Sequence, residues 1–178
     1  MKKVFSLMLV CLLLLGLCAC GSEPTLVGTD SNSKVNSNNN STSIDGKTFK
    51  LGDSVEYKDV VITFVGVTES TGSDFNKPAD GNVFVLCEFE IVNNSKEELA
   101  VSSMMSFSAY CDDYSCDYSI GALLEKGNKD QLDGSVAAGK KMKGVVGYEV
   151  PSNWKELEIQ YTLDLLDSTK IVFIATNN

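Results

Sequence analysis

The chain has 178 residues, with 24 acidic side chains against 15 basic ones, a formal charge of −9 and no histidine. Every basic residue is lysine, so arginine is absent as well. These absences exclude Ser-His-Asp and Cys-His catalysis, histidine-ligated zinc and the bidentate guanidinium clamp, and the acidic balance argues against a nucleic-acid footprint.

Lys2 and Lys3 precede an apolar run from Val4 to Leu17. At about 14 residues it is shorter than the roughly 18 that span a bilayer. A charged start, a short apolar core and small residues at a cut describe a secretion signal over residues 1–19. Leu17-Cys18-Ala19-Cys20 resembles the lipobox of bacterial lipoproteins. That resemblance implies that the Cys20 thiol takes a diacylglycerol and becomes the first mature residue. Each buried CH₂ contributes about 0.8 kcal/mol, so two or more acyl chains anchor stably where one holds marginally. The expected address is the extracytoplasmic face of a cell membrane, with the membrane itself as a partner through the lipid. Without Lys2 and Lys3, 13 lysines face 24 acids, near −11, which disfavours a polybasic contact with anionic lipid.

Residues 20–47 read as the acylated cysteine and a flexible linker rich in Asn, Ser and Thr, including Ser31 to Ser33 and Asn36 to Ser43. Such a stretch buries too little apolar surface to offset its ordering entropy. As a coil it would span roughly 25–30 Å.

Residues 48–178 read as one all-β domain. Short strands are expected at Thr48 to Leu51, Val55 to Tyr57 and Val60 to Val67, the last apolar on both faces. Phe75 to Gly81 is a loop. From Val83 to Val92, the residues Val83, Val85, Cys87, Phe89 and Ile91 share one face, with Glu88 and Glu90 on the other. Asn93-Asn94-Ser95 ends that strand with turn chemistry. Met105, Phe107, Ala109 and Cys111 share the next inward face. Asp112 to Ser115 form a turn, and Cys116, Tyr118 and Ile120 continue a returning strand. Leu123 to Asp133 is an irregular connection with room for a helical turn. Gly144, Val146, Tyr148 and Val150 alternate with Lys143, Val145, Gly147 and Glu149. Leu157, Ile159, Tyr161, Leu163 and Leu165 give the clearest alternation, and Ile171 to Ala175 is the last strand. About seven or eight short antiparallel strands suggest a β-sandwich, with a closed barrel as the alternative.

Gly81 to Leu86, Glu90 to Ser95, the strand-turn-strand from Phe107 to Tyr118, and Val136 to Lys140 running into Gly144 to Pro151 form a pattern. It resembles a family of small lipoproteins, mostly from Gram-positive bacteria, that carry a domain of unknown function. That domain is similar to the mycobacterial immunoprotective extracellular antigen, which implies an immunoglobulin-like sandwich. The family commonly has an Asp-x-x-Gly turn where this chain has Asp112 to Cys116 without glycine. It carries no established catalytic residue, so the resemblance transfers none.

Of six cysteines, Cys11 and Cys18 leave with the signal and Cys20 is acylated. Cys87, Cys111 and Cys116 remain, so at most one intrachain disulfide forms. Cys111 and Cys116 flank a four-residue turn, and directly opposed positions of an antiparallel pair lie within disulfide reach. A structural disulfide, unpaired thiols and a redox-active pair are the three readings. Cys87, on an apolar face, reads as a core residue, although pairing with Cys111 or Cys116 is open. Asp112, Asp113 and Asp117 offer hard oxygens to calcium, but their spacing fits no EF-hand loop, and aspartate favours turns for its own reasons. Lys140, Lys141 and Lys143 read as a solvated strand edge. Trp154 reads as a plug at one end of the sandwich or as a ligand platform.

No cofactor and no enzymatic activity are expected. The first functional reading is a surface-anchored, non-catalytic binding module for an extracellular or envelope protein or ligand, acting through Ser70–Gly81 and Leu123–Gly134. The second is an extracytoplasmic thiol protein using Cys111 and Cys116. The third is a structural accessory subunit of an envelope complex.

Overall fold

The computed structural model describes residues 25–27, 47–127, 129–163 and 169–177. The signal segment and the lipidation residue Cys20 lie outside the described residues, as does Leu165.

Twelve strands and one short helix follow in order. They are β1 (Thr25–Val27), β2 (Thr48–Lys50), β3 (Ser54–Tyr57), β4 (Val60–Ser70), β5 (Asn82–Asn93), β6 (Leu99–Ser102), β7 (Phe107–Cys111), β8 (Tyr114–Cys116), α1 (Ile120–Leu124), β9 (Asp133–Val136), β10 (Lys141–Pro151), β11 (Glu156–Tyr161) and β12 (Ile171–Thr176). One sheet has the order β1-β3-β4-β5-β10 and is antiparallel throughout. The second has the order β2-β12-β11-β7-β8, with β2 and β12 its parallel pair. A ribbon of β6 and β9 flanks them. The chain is therefore a β-sandwich, as the alternation of apolar and polar positions predicts.

Period-2 alternation builds each inner face. Val83, Val85, Cys87, Phe89 and Ile91 of β5 are all buried in the core, and so are Val146, Tyr148 and Val150 of β10. Leu157, Ile159 and Tyr161 of β11 meet them from the second sheet. The two sheets lock through aromatic rings. Phe64 and Phe89 stack within the first sheet at 4.8 Å between centroids. Phe173 of the second sheet meets Phe89 edge-on at 5.3 Å and Phe64 at 5.9 Å. Phe107, also of the second sheet, lies 5.3 Å from Phe89 and 5.0 Å from Tyr161. Phe89 meets two rings of the second sheet, Phe107 and Phe173, and Phe64 meets one, Phe173.

Four sequence expectations change. β4 is not apolar on both faces. Its register shifts between Phe64 and Gly66, so Val65 is the extra residue of a bulge and faces outward. Met105 is exposed rather than inward, because Ser103 to Ser106 form a turn closed by Ser106 N–H donating to the Ser102 carbonyl at 2.8 Å. Ile120 does not continue a strand; it begins α1. Thr25–Val27, within the expected linker, pairs antiparallel with β3.

The outer face of β5 is also partly closed. Phe84 and Leu86 form a second apolar cluster with Val145, Ala122 and Leu123. Further along, Glu88 pairs with Lys129 at 2.9 Å and Lys143 at 3.1 Å, and Glu90 pairs with Lys141 at 3.6 Å. Two of the three edge lysines thus serve cross-strand ion pairs. The Lys129 hydrogen bond, opposed by partial desolvation and reinforced by Lys143, holds the Glu88 carboxyl below its ordinary range.

Phe89→Ala is expected to cost about 3–5 kcal/mol of stability, read from urea denaturation. Glu88 contributes stability above its unfolded-state pKa, and that contribution is lost as pH falls through its lower folded-state value. Glu88→Gln is therefore expected to flatten the acid limb of the stability–pH curve, leaving the neutral-pH slope unchanged.

Candidate functional site

The sandwich has two distinct ends. At the near end lie the pairs Tyr57↔Val60, Val92↔Lys141 and Tyr161↔Ile171. At the far end lie Asn82↔Pro151, Glu156↔Thr176 and the turn between β7 and β8.

The far-end surface is built on α1. Ser119 caps the helix, its Oγ accepting from Ala122 N–H at 3.1 Å. Ala122 and Leu123 pack on Phe84, Leu86 and Val145. Gly147 makes this approach possible: a Cβ there would sit 2.8 Å from that of Ala122. Glu125, just past the helix, gathers the Ser70–Gly81 loop. Its carboxylate accepts from Asn76 Nδ2 at 2.6 Å, Ser73 Oγ at 3.3 Å and Ser70 Oγ at 3.4 Å. Asn76 Nδ2 also donates to the Gly121 carbonyl at 2.9 Å. The first predicted loop and the start of the second are therefore joined into one surface rather than displayed separately. The rest of the loop is fixed by Glu149, which accepts from Ala79 N–H at 2.8 Å and Asn82 Nδ2 at 3.0 Å.

This framework leaves apolar side chains in solvent. Ile120 and Leu124 are 67% and 69% exposed, Tyr114 is 80% exposed, and Phe75 is fully exposed. Ile120 and Tyr114 border an open groove of about 700 Å³, lined also by Cys116, Asp117 and Glu149. Sequence reasoning missed Phe75, Ile120 and Leu124, since a five-residue helix shows no usable period. Gly121, set against the Phe84 ring, and Gly147, set against Ala122, are the trace the helix left in the sequence.

The hairpin differs from its predicted form. Asp112 and Asp113 both have positive φ, 47° and 71°, and make a two-residue turn of the I′ kind. Aspartate tolerates that conformation without glycine. Cys111 therefore opposes Tyr114, and Cys116 opposes Ala109. The two cysteines are diagonal neighbours on one face, where Cα atoms stand about 7–8 Å apart, rather than directly opposed. Both are free thiols in this structure, as is Cys87. Burial, aided by neighbouring Cys116 and Asp112, pushes the Cys111 thiol up to about 12. Burial also raises Cys116, against hydrogen bonding with Cys111, and drives Cys87 up strongly. A thiol held protonated is a poor nucleophile. Burial raises the Tyr148 phenol well above its ordinary value, and its hydroxyl has no hydrogen-bond partner among the described residues.

The calcium candidate is not assembled. Among the described residues no three acidic, cysteine or histidine side chains are grouped to hold a metal ion. Asp112 instead accepts from the backbone N–H groups of Lys155 at 3.1 Å and Glu156 at 2.9 Å, tying the hairpin to β11. Asp113 and Asp117 do not join it in a cluster. Trp154 is buried at this end with its indole N–H donating to Glu69, a plug rather than a platform.

The sequence profile of the domain of unknown function DUF4352 matches residues 49–171. The chain belongs to the DUF4352 family. Among solved structures, this DUF4352 chain is similar to ycdA of Bacillus subtilis, described as a candidate lipoprotein, at 17% identity and TM-score 0.56. That match covers 67% of this chain and 37% of ycdA, so the chain spans little more than a third of that protein. The yjhA protein of Bacillus subtilis matches at 18% identity and TM-score 0.52, over 73% of this chain and 99% of its own. A β-sandwich protein of Clostridium difficile matches at 15% identity and TM-score 0.47, over 73% of this chain and 95% of its own. These likenesses are of fold. No curated protein matches the sequence.

With iodoacetamide at pH 8 and peptide mass mapping, Cys87 and Cys111 are expected to stay unmodified in the folded domain, and Cys116 to react slowly. All three are expected to react in urea without reductant.

Proposed function

We propose that this DUF4352 chain is a lipid-anchored, extracytoplasmic lipoprotein whose sandwich is a non-catalytic binding module, with the far end as its binding face. The observation that carries the reading is the exposed apolar patch of Phe75, Ile120, Leu124 and Tyr114, held in place by hydrogen bonds around Glu125. Pre-organised apolar groups on a polar background are what a protein partner desolvates at the centre of an interface. Asp117 and Glu149 at the groove favour a partner whose rim is neutral or cationic. The Leu17–Cys20 lipobox supports the address, and the description of ycdA points the same way. Similarity to the mycobacterial immunoprotective extracellular antigen is part of this same proposal. An accessory role in an envelope complex is a form of it, with the complex as partner. The thiol reading has less support, because Cys111 and Cys116 are held protonated.

The test is capture of envelope proteins by the lipidated chain, followed by affinity measurement for Ile120→Asp and Leu124→Asp. A partner bound through this face is expected to lose at least about tenfold in affinity, or about 1.4 kcal/mol, with the urea midpoint unchanged. Undiminished affinity in both variants would remove the far end as the binding face.

A further inference from the structure

We propose that the near end of the sandwich is a membrane-facing surface, seated on the phospholipid headgroup layer that holds Cys20, and that β1 is the strap that seats it. The inference rests on the lipid-anchored reading above. Its first support is the register of β1. Thr25 lies opposite Glu56, Leu26 opposite Val55 and Val27 opposite Ser54. The chain therefore enters β1 from the side of Tyr57 and the Lys58–Asp59 turn, which is the near end. Cys20 precedes Thr25 by five positions. An extended chain of that length reaches at most about 17–18 Å. Were the fold joined only at β2, the tether would be a coil of roughly 25–30 Å r.m.s. span, free to point in any direction. Pairing of β1 with β3 removes the stretch between β1 and β2 from the reach. It also fixes which end follows the lipid.

The chemistry of the near end fits that position. A groove of about 910 Å³ opens there between the sheets, with Val60, Leu99 and Leu163 among its lining and Lys58 and Lys96 on it. Met105 borders the same groove and is 61% exposed, carried there by the Ser103–Ser106 turn. Lysines that carry an ammonium on an apolar stem, beside an exposed thioether, suit the boundary between phosphate and acyl chain. The rest of the rim is mixed in sign, with Asp59, Glu97 and Glu98 among the lysines. The far end carries the larger acidic excess: Asp74, Asp80, Asp112, Asp113, Asp117 and Glu149 lie there against Lys77 and Lys155. An anionic bilayer therefore repels the far end most, so the net charge of the chain orients the domain. With β10 running 11 residues, the sandwich is about 35 Å tall. Seated on its near end, it carries those acids well beyond a Debye length of about 8–10 Å.

The full-length lipidated protein can be reconstituted into phosphatidylcholine–phosphatidylglycerol vesicles bearing a nitroxide on the headgroup. The chain has one tryptophan, Trp154, at the far end, and Met105→Trp adds a second at the near end. The inference expects the emission added by Met105→Trp to be lost to the quencher while that of Trp154 survives. Replacing β1 by Thr25→Gly, Leu26→Ser and Val27→Gly is expected to restore the near-end emission while the protein still floats with the vesicles. Equal survival of both emissions in floating protein, or loss at Trp154, overturns the membrane-facing assignment and leaves the lipid anchor standing. Unchanged quenching in the β1 variant overturns the strap. Failure of the parent protein to float overturns the anchored reading and the inference with it.

Discussion

Contact between Phe89 and Phe173 holds the molecule together. Among the described residues no strand pairing joins the two five-stranded sheets; their inner faces meet through side chains, and Phe64, Phe107 and Tyr161 radiate from that contact. Ring pairs in edge-on or tilted geometry add about 0.5–1.5 kcal/mol each beyond their buried area. Every other feature is placed relative to this core. The strand ends carry the turns, and the turns carry the two chemically different ends. Because the inner faces must interdigitate, the register of β5 against β4 and β10 is not free to slip, and the bulge at Val65 absorbs the one mismatch in that ladder.

The outer face of the first sheet explains how a far-end surface arises in a fold with little helix. A sheet covered on one face leaves the other to solvent, and Glu88 and Glu90 show that arrangement. Phe84 and Leu86 do not, and α1 lies over them. Gly147 admits the helix, and Gly144 admits the backbone of Asp130 to Leu132 just beyond it, where a Cβ would sit 2.8 Å from the Asp130 carbonyl oxygen. The helix is too short to be stable alone. Its cap at Ser119, its buried Ala122 and Leu123, and the Glu125 hydrogen bonds make it a fixed part of the surface. Ile120 and Leu124 are then exposed as a consequence of which side of the helix was buried.

The inner faces were legible in the sequence because period-2 alternation reports burial directly. β5 and β10 appear with nearly their full extents, β11 ends at Tyr161 although its alternation reads on to Leu165, and Val136-Ala137-Ala138-Gly139 marks the corner before β10, where Gly139 has φ of 70°. Three things were not legible, each for a physical reason. The Asp112–Asp113 turn carries no glycine, so its length was read as four residues and the opposition of Cys111 shifted by two. α1 is a tertiary product, held by packing and by side chains more than 40 positions away. β1 sits in polar, low-complexity surroundings, and only its non-local partner β3 gives it structure. The site shared these limits. The loops were found, but their fusion through Glu125 was not, and Asp112, one of the three aspartates that suggested a metal, binds backbone N–H groups instead.

The fold thus has one end that β1 enters and an opposite end whose surface is built on α1. Native-state amide hydrogen exchange on the full chain tests that account most directly, since it reads local opening against global unfolding. Amides of Thr25–Val27 and of Ser119–Glu125 are expected to be protected by orders of magnitude over free-peptide rates, with α1 approaching the protection of β5. Exchange of either segment at free-peptide rates would contradict it, leaving a bare sandwich on a slack tether with no fixed far-end surface.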